Sequence, residues 1–479
     1  MGIKIKNYKG ELVHPSIDIK NGIAILGFRY FSEEQKDNNL YIISDGNEID
    51  VKYDTNFVFD NNNYSIRLDN RKLANIEEKW DIDSLIEYID NFCKETSNPA
   101  QVFKNIVNIT KKYIELEREE DYLLISSWIL GTYFFPAFSA YSFLHIKAPK
   151  RSGKTQLLNL LRQLAYNAIK ARPSLAALGD TVDSLRGTYL IDQADSLRRK
   201  GNEELVDILT DSYKKEGGKR RIININNGKR QLLELDTYSP KVFASINDLP
   251  EDLADRCIVV PLIRSQKNFL EPSEENEKWD ELRGEIYKLF LLDSDRVRSQ
   301  YDVLKIHYKQ NPKIIGRELE LWLPLESILK VCLGNDSADI EIIQNRFRQL
   351  YGYTEYEASE IEKEVICIIN NLVKNSDKPI TLKPNDIRSR ISKDDLWVDW
   401  YPSNHKKNIK IGNVIKKFNI SSEKKNTSSG VAYSFDNSKV AKIHSLYLKN
   451  EIISSNTSPL QKSVVNKPTI NEVSEIFNS

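Results

Sequence analysis

The segment 148–155 constrains the fold of this chain more than any other part of the sequence. It reads Ala-Pro-Lys-Arg-Ser-Gly-Lys-Thr and follows the apolar run 143–146. The phosphate-binding pattern Gly-x-x-x-x-Gly-Lys-Thr is met except at its first position, which is Ala148. A strand that turns through such a loop into a helix directs backbone N–H groups and the positive end of the helix dipole toward a phosphate. The motif therefore predicts a nucleotide site at the end of a strand in an α/β fold.

Each residue of the loop has an expected role. Gly153 lets the backbone curl around a phosphate without a Cβ clash. Lys154 is expected to reach the β- and γ-phosphates of ATP, and Thr155 to place its hydroxyl on Mg²⁺. The predicted ATP-binding residues are Ala148, Pro149, Lys150, Arg151, Ser152, Gly153, Lys154, Thr155 and Gln156, joined by Asp192 from a later strand. A basic surface turn that caps an ordinary helix is the alternative interpretation.

A second element is an apolar run that ends at Asp192, 37 residues after Thr155. Such an acid holds Mg²⁺ in nucleotide hydrolases, so Thr155 and Asp192 are the predicted metal ligands. The next residue is Gln193, where a hydrolysing enzyme usually has a carboxylate that polarises the attacking water. Because an amide accepts no proton, hydrolysis is expected to be slow. Gln193 is either an engineered Glu-to-Gln change that traps ATP or a natural, weakly hydrolysing variant, with Asp195 as a fallback base.

The predicted catalytic set is Gln193, Asn247, Arg256 and Arg317. Asn247 ends an apolar strand, where its side chain is expected to reach the γ-phosphate and hold the attacking water. Arg256 immediately precedes the last core strand and is a candidate arginine finger for a neighbouring subunit's γ-phosphate. Arg317 opens a helix and is a candidate phosphate contact from a helical lid. The alternatives are a salt bridge from Arg256 to Asp252 or Asp255, and Arg264 or Arg296 in place of Arg317.

In this order, these elements resemble the AAA+ ATPases. Residues 148–155, 190–197 and 238–256 are similar to the helicase-like ATPase domain of plasmid, phage and chromosomal-cassette replication proteins, which is distantly similar to MCM helicases. The resemblance covers about residues 125–440. It implies an ATP-driven DNA motor that forms a hexameric ring, binds ATP between subunits and replicates a mobile genetic element. Ala148 and Gln193 depart from the family's pattern.

The segment 214–230 is strongly basic, although the 69 basic and 69 acidic residues of the whole chain cancel. It carries seven Lys or Arg and one Glu, and two β-prone runs flank Asn227-Gly228, a strong hairpin signal. By the resemblance, a hairpin at this place projects into the pore of the ring and grips the DNA backbone. The predicted DNA contacts are Lys229 and Arg230 near the tip and Lys219, Arg220 and Arg221 at the base. A solvated edge hairpin is the alternative.

The segment 353–449 is predicted to form a winged helix. Three helical patterns precede a polar loop at 421–430 and a strand, the order of a helix-turn-helix variant with a β-wing. Residues 405–425 carry seven Lys and one Glu. The predicted phosphate contacts are Lys406, Lys407 and Lys410 on the third helix and Lys424 and Lys425 on the wing. A winged helix that binds protein is the alternative.

The rest of the chain divides into further predicted regions. We expect a β-rich domain at 1–80, a helical linker at 81–135, the AAA+ core at 136–268, a helical lid at 269–352 and a disordered tail at 450–479. No apolar run reaches the ~18 residues of a membrane span, and the four cysteines are far apart. We therefore expect a cytoplasmic protein without a membrane anchor, a zinc ribbon or a disulfide framework. The zero net charge excludes a globally basic nucleic-acid binder.

These features favour an ATP-dependent DNA helicase or translocase that assembles as a ring. An ATP-locked DNA-binding initiator or scaffold is the second hypothesis, which Gln193 favours if it is natural. A third is a mobile-element or defence ATPase whose amino-terminal domain recognises a partner, such as a replication protein. No carboxylate cluster in the sequence 1–90 indicates a nuclease or a primase.

Overall fold

The computed structural model divides into two compact units, Met1–Glu355 and Tyr356–Ser479. The predicted tail lies outside the described residues, as do Lys150, Arg264 and the turn residues Asn227 and Gly228. The described residues are 11–31, 37–52, 58–61, 64–68, 82–91, 98–149, 151–170, 182–226, 229–262, 265, 267–273, 277–351, 360–376, 378–391, 397, 401, 403–418, 420–427 and 430–448.

The first unit contains strands β1–β14 and helices α1–α9. The strands are β1 (Glu11–Val13), β2 (Ile17–Lys20), β3 (Ile23–Phe31), β4 (Asp37–Ser44), β5 (Ile49–Lys52), β6 (Val58–Asn61), β7 (Tyr64–Leu68), β8 (Phe143–Lys147), β9 (Ile169–Lys170), β10 (Tyr189–Ile191), β11 (Lys219–Asn226), β12 (Lys229–Asp236), β13 (Lys241–Ser245) and β14 (Cys257–Pro261). The helices are α1 (Ile82–Asn91), α2 (Pro99–Tyr113), α3 (Glu119–Phe134), α4 (Lys154–Leu164), α5 (Glu203–Asp211), α6 (Glu251–Ala254), α7 (Trp279–Gln310), α8 (Gly316–Leu333) and α9 (Ala338–Tyr351).

A five-stranded parallel sheet forms the centre of this unit, in the order β14-β8-β13-β10-β9. Consecutive residues of β8, β10 and β13 are buried, so both faces of the sheet are covered. The register sets Leu144 of β8 beside Val242 of β13 and Ile258 of β14. The carboxyl ends of these strands therefore lie at one edge. The expected α/β core is confirmed.

Helix α3 lies in the interior of the first unit. Thirteen of its sixteen residues are buried, which is typical of a helix surrounded by other elements. The indole N–H of Trp128 donates to the carbonyl oxygen of Ser142 at 2.8 Å. This bond holds α3 against the start of β8. The strand that precedes the predicted phosphate-binding loop 148–153, named the phosphate loop, is therefore fixed at its amino end.

The amino-terminal strands form two small sheets. One is antiparallel in the order β2-β3-β4-β5, and the other has the order β1-β7-β6. Asn21 and Gly22 join β2 to β3 with φ angles of 51° and 79°, and a two-residue turn of the favoured hairpin type requires such positive angles. The β-rich amino-terminal region is confirmed within residues 11–68.

A buried polar network fastens the amino-terminal strands to the rest of the unit. Arg186 donates to Asp236 Oδ2 at 2.8 Å and lies 3.5 Å from the Asp18 carboxylate. Burial alone would lower the pKa of Arg186, but the two carboxylates outweigh burial and raise it. The Ser16 hydroxyl donates to the carbonyl oxygen of Ser184 at 2.5 Å. Because Asp236 ends β12, the network also anchors the base of the β11–β12 hairpin.

The second unit has its own hydrophobic core and a three-stranded antiparallel sheet in the order β15-β17-β16. Ile369 of the first helix, Ile415 of the third and Phe435 of the last strand are fully buried in this core. The elements are α10 (Glu360–Val373), β15 (Ile380–Leu382), α11 (Pro384–Arg388), α12 (Asn404–Lys417), β16 (Glu423–Thr427), β17 (Gly430–Phe435) and α13 (Asn437–Leu448).

We expect Arg186→Ala to lower the free energy of unfolding by about 3–5 kcal/mol, because it leaves the buried carboxylates of Asp18 and Asp236 without their cation. Urea denaturation followed by tryptophan fluorescence measures the change. Arg199 is an exposed arginine of the same unit, and Arg199→Ala should change the free energy by less than about 0.5 kcal/mol. Equal effects of the two substitutions would contradict the network.

Candidate functional site

The loop between β8 and α4 is bent as the motif requires. Gly153 has a φ angle of 90°, in the left-handed region that favours glycine. A Cβ atom at this position would lie 3.1 Å from Cδ1 of Ile114. Gly153 also offers no side chain to cap α4. The first N–H groups of the helix therefore remain available to an anion.

Lys154 lies across this loop. Its ammonium donates to the carbonyl oxygens of Ala148 at 2.6 Å and Pro149 at 2.8 Å. Burial lowers the pKa of Lys154, while the nearby carboxylates of Asp195 and Asp192 act in the opposite direction. An ammonium has three donors, so one remains for a phosphate. The loop thus presents a cation and free N–H groups together.

The side chains of the other predicted loop residues make different contacts. Ser152 donates its hydroxyl to the carbonyl oxygen of Pro149 at 2.7 Å, which closes the loop on itself. Arg151 is exposed and has a φ angle of 62°. The side chain of Gln156 does not face the loop: Nε2 donates to the carbonyl oxygens of Tyr113, at 3.2 Å, and Leu270. This amide fastens α4 to the end of α2, so Gln156 could contact ATP only through its backbone N–H.

Asp192 follows β10 at the same edge of the sheet. Its Oδ2 lies 3.3 Å from Nζ of Lys170, and its Oδ1 accepts the N–H of Gln193 at 2.9 Å. About a third of its side chain is exposed (32%), and Thr155 is exposed as well. One carboxylate and one hydroxyl suit Mg²⁺, which keeps several waters and takes few protein ligands. Within the described part of the chain, no group of three His, Cys, Asp or Glu could hold a metal.

Asn247 is held at this edge by Asp195. Asp195 Oδ1 accepts the backbone N–H and the side-chain Nδ2–H of Asn247, both at 2.9 Å, and Oδ2 accepts the N–H of Ile246 at 3.0 Å. Partial burial raises the pKa of Asp195, but these hydrogen bonds outweigh it and hold the pKa below its usual value. The prediction of Asp195 as a fallback base is wrong, because a carboxylate that three donors stabilise as an anion is a poor proton acceptor.

Sheet order brings the predicted residues together. Strand β13 lies between β8 and β10, so Asn247 follows a strand that separates the phosphate loop from Asp192. The loop N–H of Ala148 donates to the carbonyl oxygen of Ser245 at 3.2 Å, which joins the two carboxyl ends directly. Lys154, Asp192 and Asn247 therefore share one edge of the sheet, while Gln193 is exposed beside them with a φ angle of 56°.

Arg256 and Arg317 lie together elsewhere, beside one aromatic ring. Their guanidinium carbons are 5.4 and 5.2 Å from the ring centroid of Tyr213. Both also approach the carboxylate of Asp255, at 3.6 and 3.1 Å. The alternative salt bridge of Arg256 is therefore present. Arg296 pairs instead with Asp293 at 3.4 Å.

This arginine pair stands at the opposite edge of the sheet from the phosphate loop. Residue Cys257 is in register with Phe143, at the start of β8, whereas the loop begins after Lys147 at its end. Five strand residues at ~3.3 Å each separate the two edges by about 16 Å. Arg256 and Arg317 therefore cannot contact a phosphate on the loop of their own chain. The lid position predicted for Arg317 does not reach that loop.

The basic hairpin is present as β11 and β12. Its register pairs Asn226 with Lys229 and Ile225 with Arg230, so both basic residues stand next to the tip. Lys219, exposed, opens β11, and Arg220 and Arg221 follow it toward the tip.

The three lysines of helix α12 that are predicted to contact phosphates do not all face solvent. Lys406 is exposed, but Lys407 is buried (9% exposed) and Lys410 pairs with the buried Glu362 at 2.9 Å. The phosphate contacts predicted for Lys407 and Lys410 are wrong, because both lysines belong to the packed side of the helix. On β16, Lys424 and Lys425 are exposed, and Lys425 lies 3.0 Å from Glu423.

Two features were missed by sequence reasoning. The exposed face of α12 carries Ile409, Asn413 and Lys416 in addition to Lys406. Their spacing of three and four residues is helical, so a helical wheel of this segment would have found them. Tyr213 had no sequence signal, because its partners come from segments far along the chain.

No family model matches this sequence, and no curated protein does. Among solved structures, the fold is similar to that of a full-length MCM homologue from Methanopyrus kandleri, with 11% sequence identity and a TM-score of 0.34. The similarity covers 69% of this chain and 78% of that chain. A superposition this loose assigns no function. Of the helices in the described ranges, none has the length and apolar character to span a bilayer.

His145 of β8 is linked to Asn247 through the hydroxyl of Ser245. Its Nε2 lies 2.7 Å from the Ser245 hydroxyl, which itself donates to the carbonyl oxygen of Asn247 at 2.6 Å. Because the hydroxyl has one proton, Nε2–H of His145 must donate to Ser245. Burial, aided by the charge of Lys147, lowers the pKa of His145 to about 4.

This lowered pKa makes stability depend on pH. The stabilisation that comes from neutral His145 is fully present above pH 6.5 and is lost as the pH falls through 4. The reason is that His145 takes up a proton at a higher pH in the unfolded chain than in the folded one. We expect the wild type to lose about 3 kcal/mol more than His145→Gln between pH 6.5 and 4, in urea denaturation. His307→Gln removes an exposed histidine of α7 and should keep the wild-type dependence. If the stability of His145→Gln depended on pH as that of the wild type does, His145 would not be the group responsible.

Proposed function

We propose that the chain is an ATP-dependent DNA helicase or translocase that works as a ring. The observation that carries the proposal is the division of the predicted ATP-site residues between the two edges of one parallel sheet. Lys154, Asp192 and Asn247 meet at the carboxyl edge, and Arg256 and Arg317 pair at the other. A second copy that sets its amino edge against the carboxyl edge of the first would complete the site.

In this arrangement each residue has a defined task. The N–H groups of the loop and Lys154 bind the phosphates, and Thr155 with Asp192 would hold Mg²⁺, which would supply positive charge at the phosphates. Asn247 orients the attacking water. Gln193 stands where a proton acceptor is needed and accepts none, so turnover by this chain is slow.

The arginine pair supports an assembly with a like partner. Two guanidinium groups share the single carboxylate of Asp255, and Nε of Arg256 is buried without a hydrogen-bond partner among the described residues. Both side chains are only partly exposed (13% and 28%), and a partly buried cation without full pairing is costly. A γ-phosphate from the neighbouring copy supplies the missing negative charge. Such head-to-tail contacts close into a ring when the rotation between neighbouring copies closes on itself.

DNA binding rests on two separate basic features. We propose that the β11–β12 hairpin, with Lys219, Arg220, Arg221, Lys229 and Arg230, contacts the DNA backbone in the ring. The second unit has the helix and strand order of a winged helix, and we assign it to duplex DNA through α12 and the β16–β17 hairpin. Its phosphate contacts are Lys406, Lys416, Lys424 and Lys425.

A second candidate function is an ATP-binding initiator or scaffold that does not hydrolyse. The exposed amide of Gln193, beside Lys154, Asp192 and Asn247, favours it. In this case ATP sets assembly on DNA and no unwinding follows. The two candidates share the nucleotide and DNA sites and differ only in turnover.

We expect Gln193→Glu to raise DNA-stimulated ATP hydrolysis by about 100-fold or more, because it restores a general base. The assay measures phosphate release and unwinding of a forked duplex. Lys154→Ala in the Gln193→Glu background is the control and should abolish hydrolysis. If both the parent chain and Gln193→Glu assemble on DNA with ATP but neither hydrolyses it, the scaffold function replaces the motor.

The salt dependence of DNA binding distinguishes the exposed lysines of α12, Lys406 and Lys416, from Lys410, which pairs with Glu362. We expect Lys406→Ala/Lys416→Ala to weaken binding to a 30-base-pair duplex and to reduce the slope of log K against log[salt] by about 2, roughly one unit for each lost phosphate contact. Lys410→Ala should leave the slope unchanged and lower stability, since Glu362 stays buried without its cation. If Lys410→Ala reduced the slope and Lys406→Ala/Lys416→Ala left it unchanged, the phosphate contact predicted for Lys410 from the sequence would hold after all.

A further inference from the structure

Asp195 makes three hydrogen bonds at the ATP site and has no task in the chemistry described so far. It lies three residues after Asp192, on the short turn that Gln193 begins. All three bonds go to the segment after β13: one to the N–H of Ile246 and two to Asn247. Asp195 therefore connects the end of β10 to the end of β13 by side chain alone.

The chemistry of a carboxylate fixes the orientation of Asn247. An ionised carboxylate only accepts hydrogen bonds, so the amide must turn its NH₂ group toward Asp195. Oδ1 of Asn247 then points away from Asp195, together with one remaining N–H. If the amide were reversed, two oxygens would face each other at 2.9 Å, which is repulsive.

We propose that Asp195 is a positioning residue, which holds Asn247 with its amide oxygen free to accept a hydrogen bond from the attacking water. The inference deepens the proposed function and rests on it. The bonds from the N–H groups of Ile246 and Asn247 fix the position of this segment. The bond from Nδ2 of Asn247 fixes which atom of its amide faces the water. This division explains why a carboxylate that is a poor base nevertheless lies at the site: its negative charge is used to orient a neighbour.

The test uses the full chain in the Gln193→Glu background, where turnover is expected. Asp195→Asn presents an amide in place of the carboxylate, so it no longer accepts at both oxygens. We expect kcat for ATP hydrolysis to fall about tenfold or more, with KM changed less than about threefold, because water orientation and not ATP binding is lost. The exposed Asp207 of α5 supplies the matched control, and Asp207→Asn should keep both constants.

A double-mutant cycle separates positioning from a general structural effect. If Asp195 acts through Asn247, Asp195→Asn adds no further loss of kcat to Asn247→Ala. Losses that multiply, or an unchanged kcat in Asp195→Asn, would overturn the inference while leaving the motor function in place.

Hydrogen–deuterium exchange gives a readout that does not depend on turnover. The N–H groups of Ile246 and Asn247 are on exposed residues, and each donates to the Asp195 carboxylate. We expect Asp195→Asn to speed exchange at these two amides and to leave the amides of β13 unchanged. Slow exchange in the variant would show that Asp195 does not hold the segment. If Gln193→Glu never hydrolyses ATP, the proposed function fails first, and the positioning role fails with it.

Discussion

The parallel register of β8 with β13 and β14 is the constraint on which the site depends. It places the phosphate loop, Asp192 and Asn247 after the carboxyl ends of neighbouring strands, and Arg256 before the amino end of β14. In a parallel sheet these two groups cannot meet within one chain, because the length of the strands separates them. The site shared between copies that we propose rests on this separation, and Arg317, which approaches the same carboxylate as Arg256, would add a second arginine to it.

Polar contacts, buried at His145 and Arg186 and exposed at Asn247, then hold the loops at the edges of the sheet. Asp195 holds Asn247, and the chain from His145 through Ser245 supports the same segment from below. At the other edge, Arg186 joins the amino-terminal strands to Asp236 at the base of the hairpin. The buried contacts favour one arrangement strongly, because the removal of one partner leaves a buried polar group unsatisfied. The amino-terminal strands thus form part of the framework that carries the hairpin.

Sequence patterns predicted the features that lie within a single segment. The loop before α4 and the acid after β10 each depend on residues that are neighbours along the chain. Contacts between distant segments were not predictable: Asp195 and Asn247 are 52 positions apart, and the partner of Lys410, Glu362, lies on another helix. Charge counting alone assigned Lys407 and Lys410 to DNA, because net charge does not say which side of a helix is packed. Helical spacing would have separated Lys406 from Lys407.

Mixing two inactive variants tests the shared site most directly. In the Gln193→Glu background, copies with Lys154→Ala keep both arginines but lack a working loop, and copies with Arg256→Ala keep the loop but lack one arginine. Each variant alone should hydrolyse little ATP. When equal amounts assemble at random, about a quarter of the interfaces join an intact loop to an intact arginine, and we predict that hydrolysis returns in that proportion. Mixed assemblies that stay inactive, or full activity of Arg256→Ala alone, would contradict a site shared between copies.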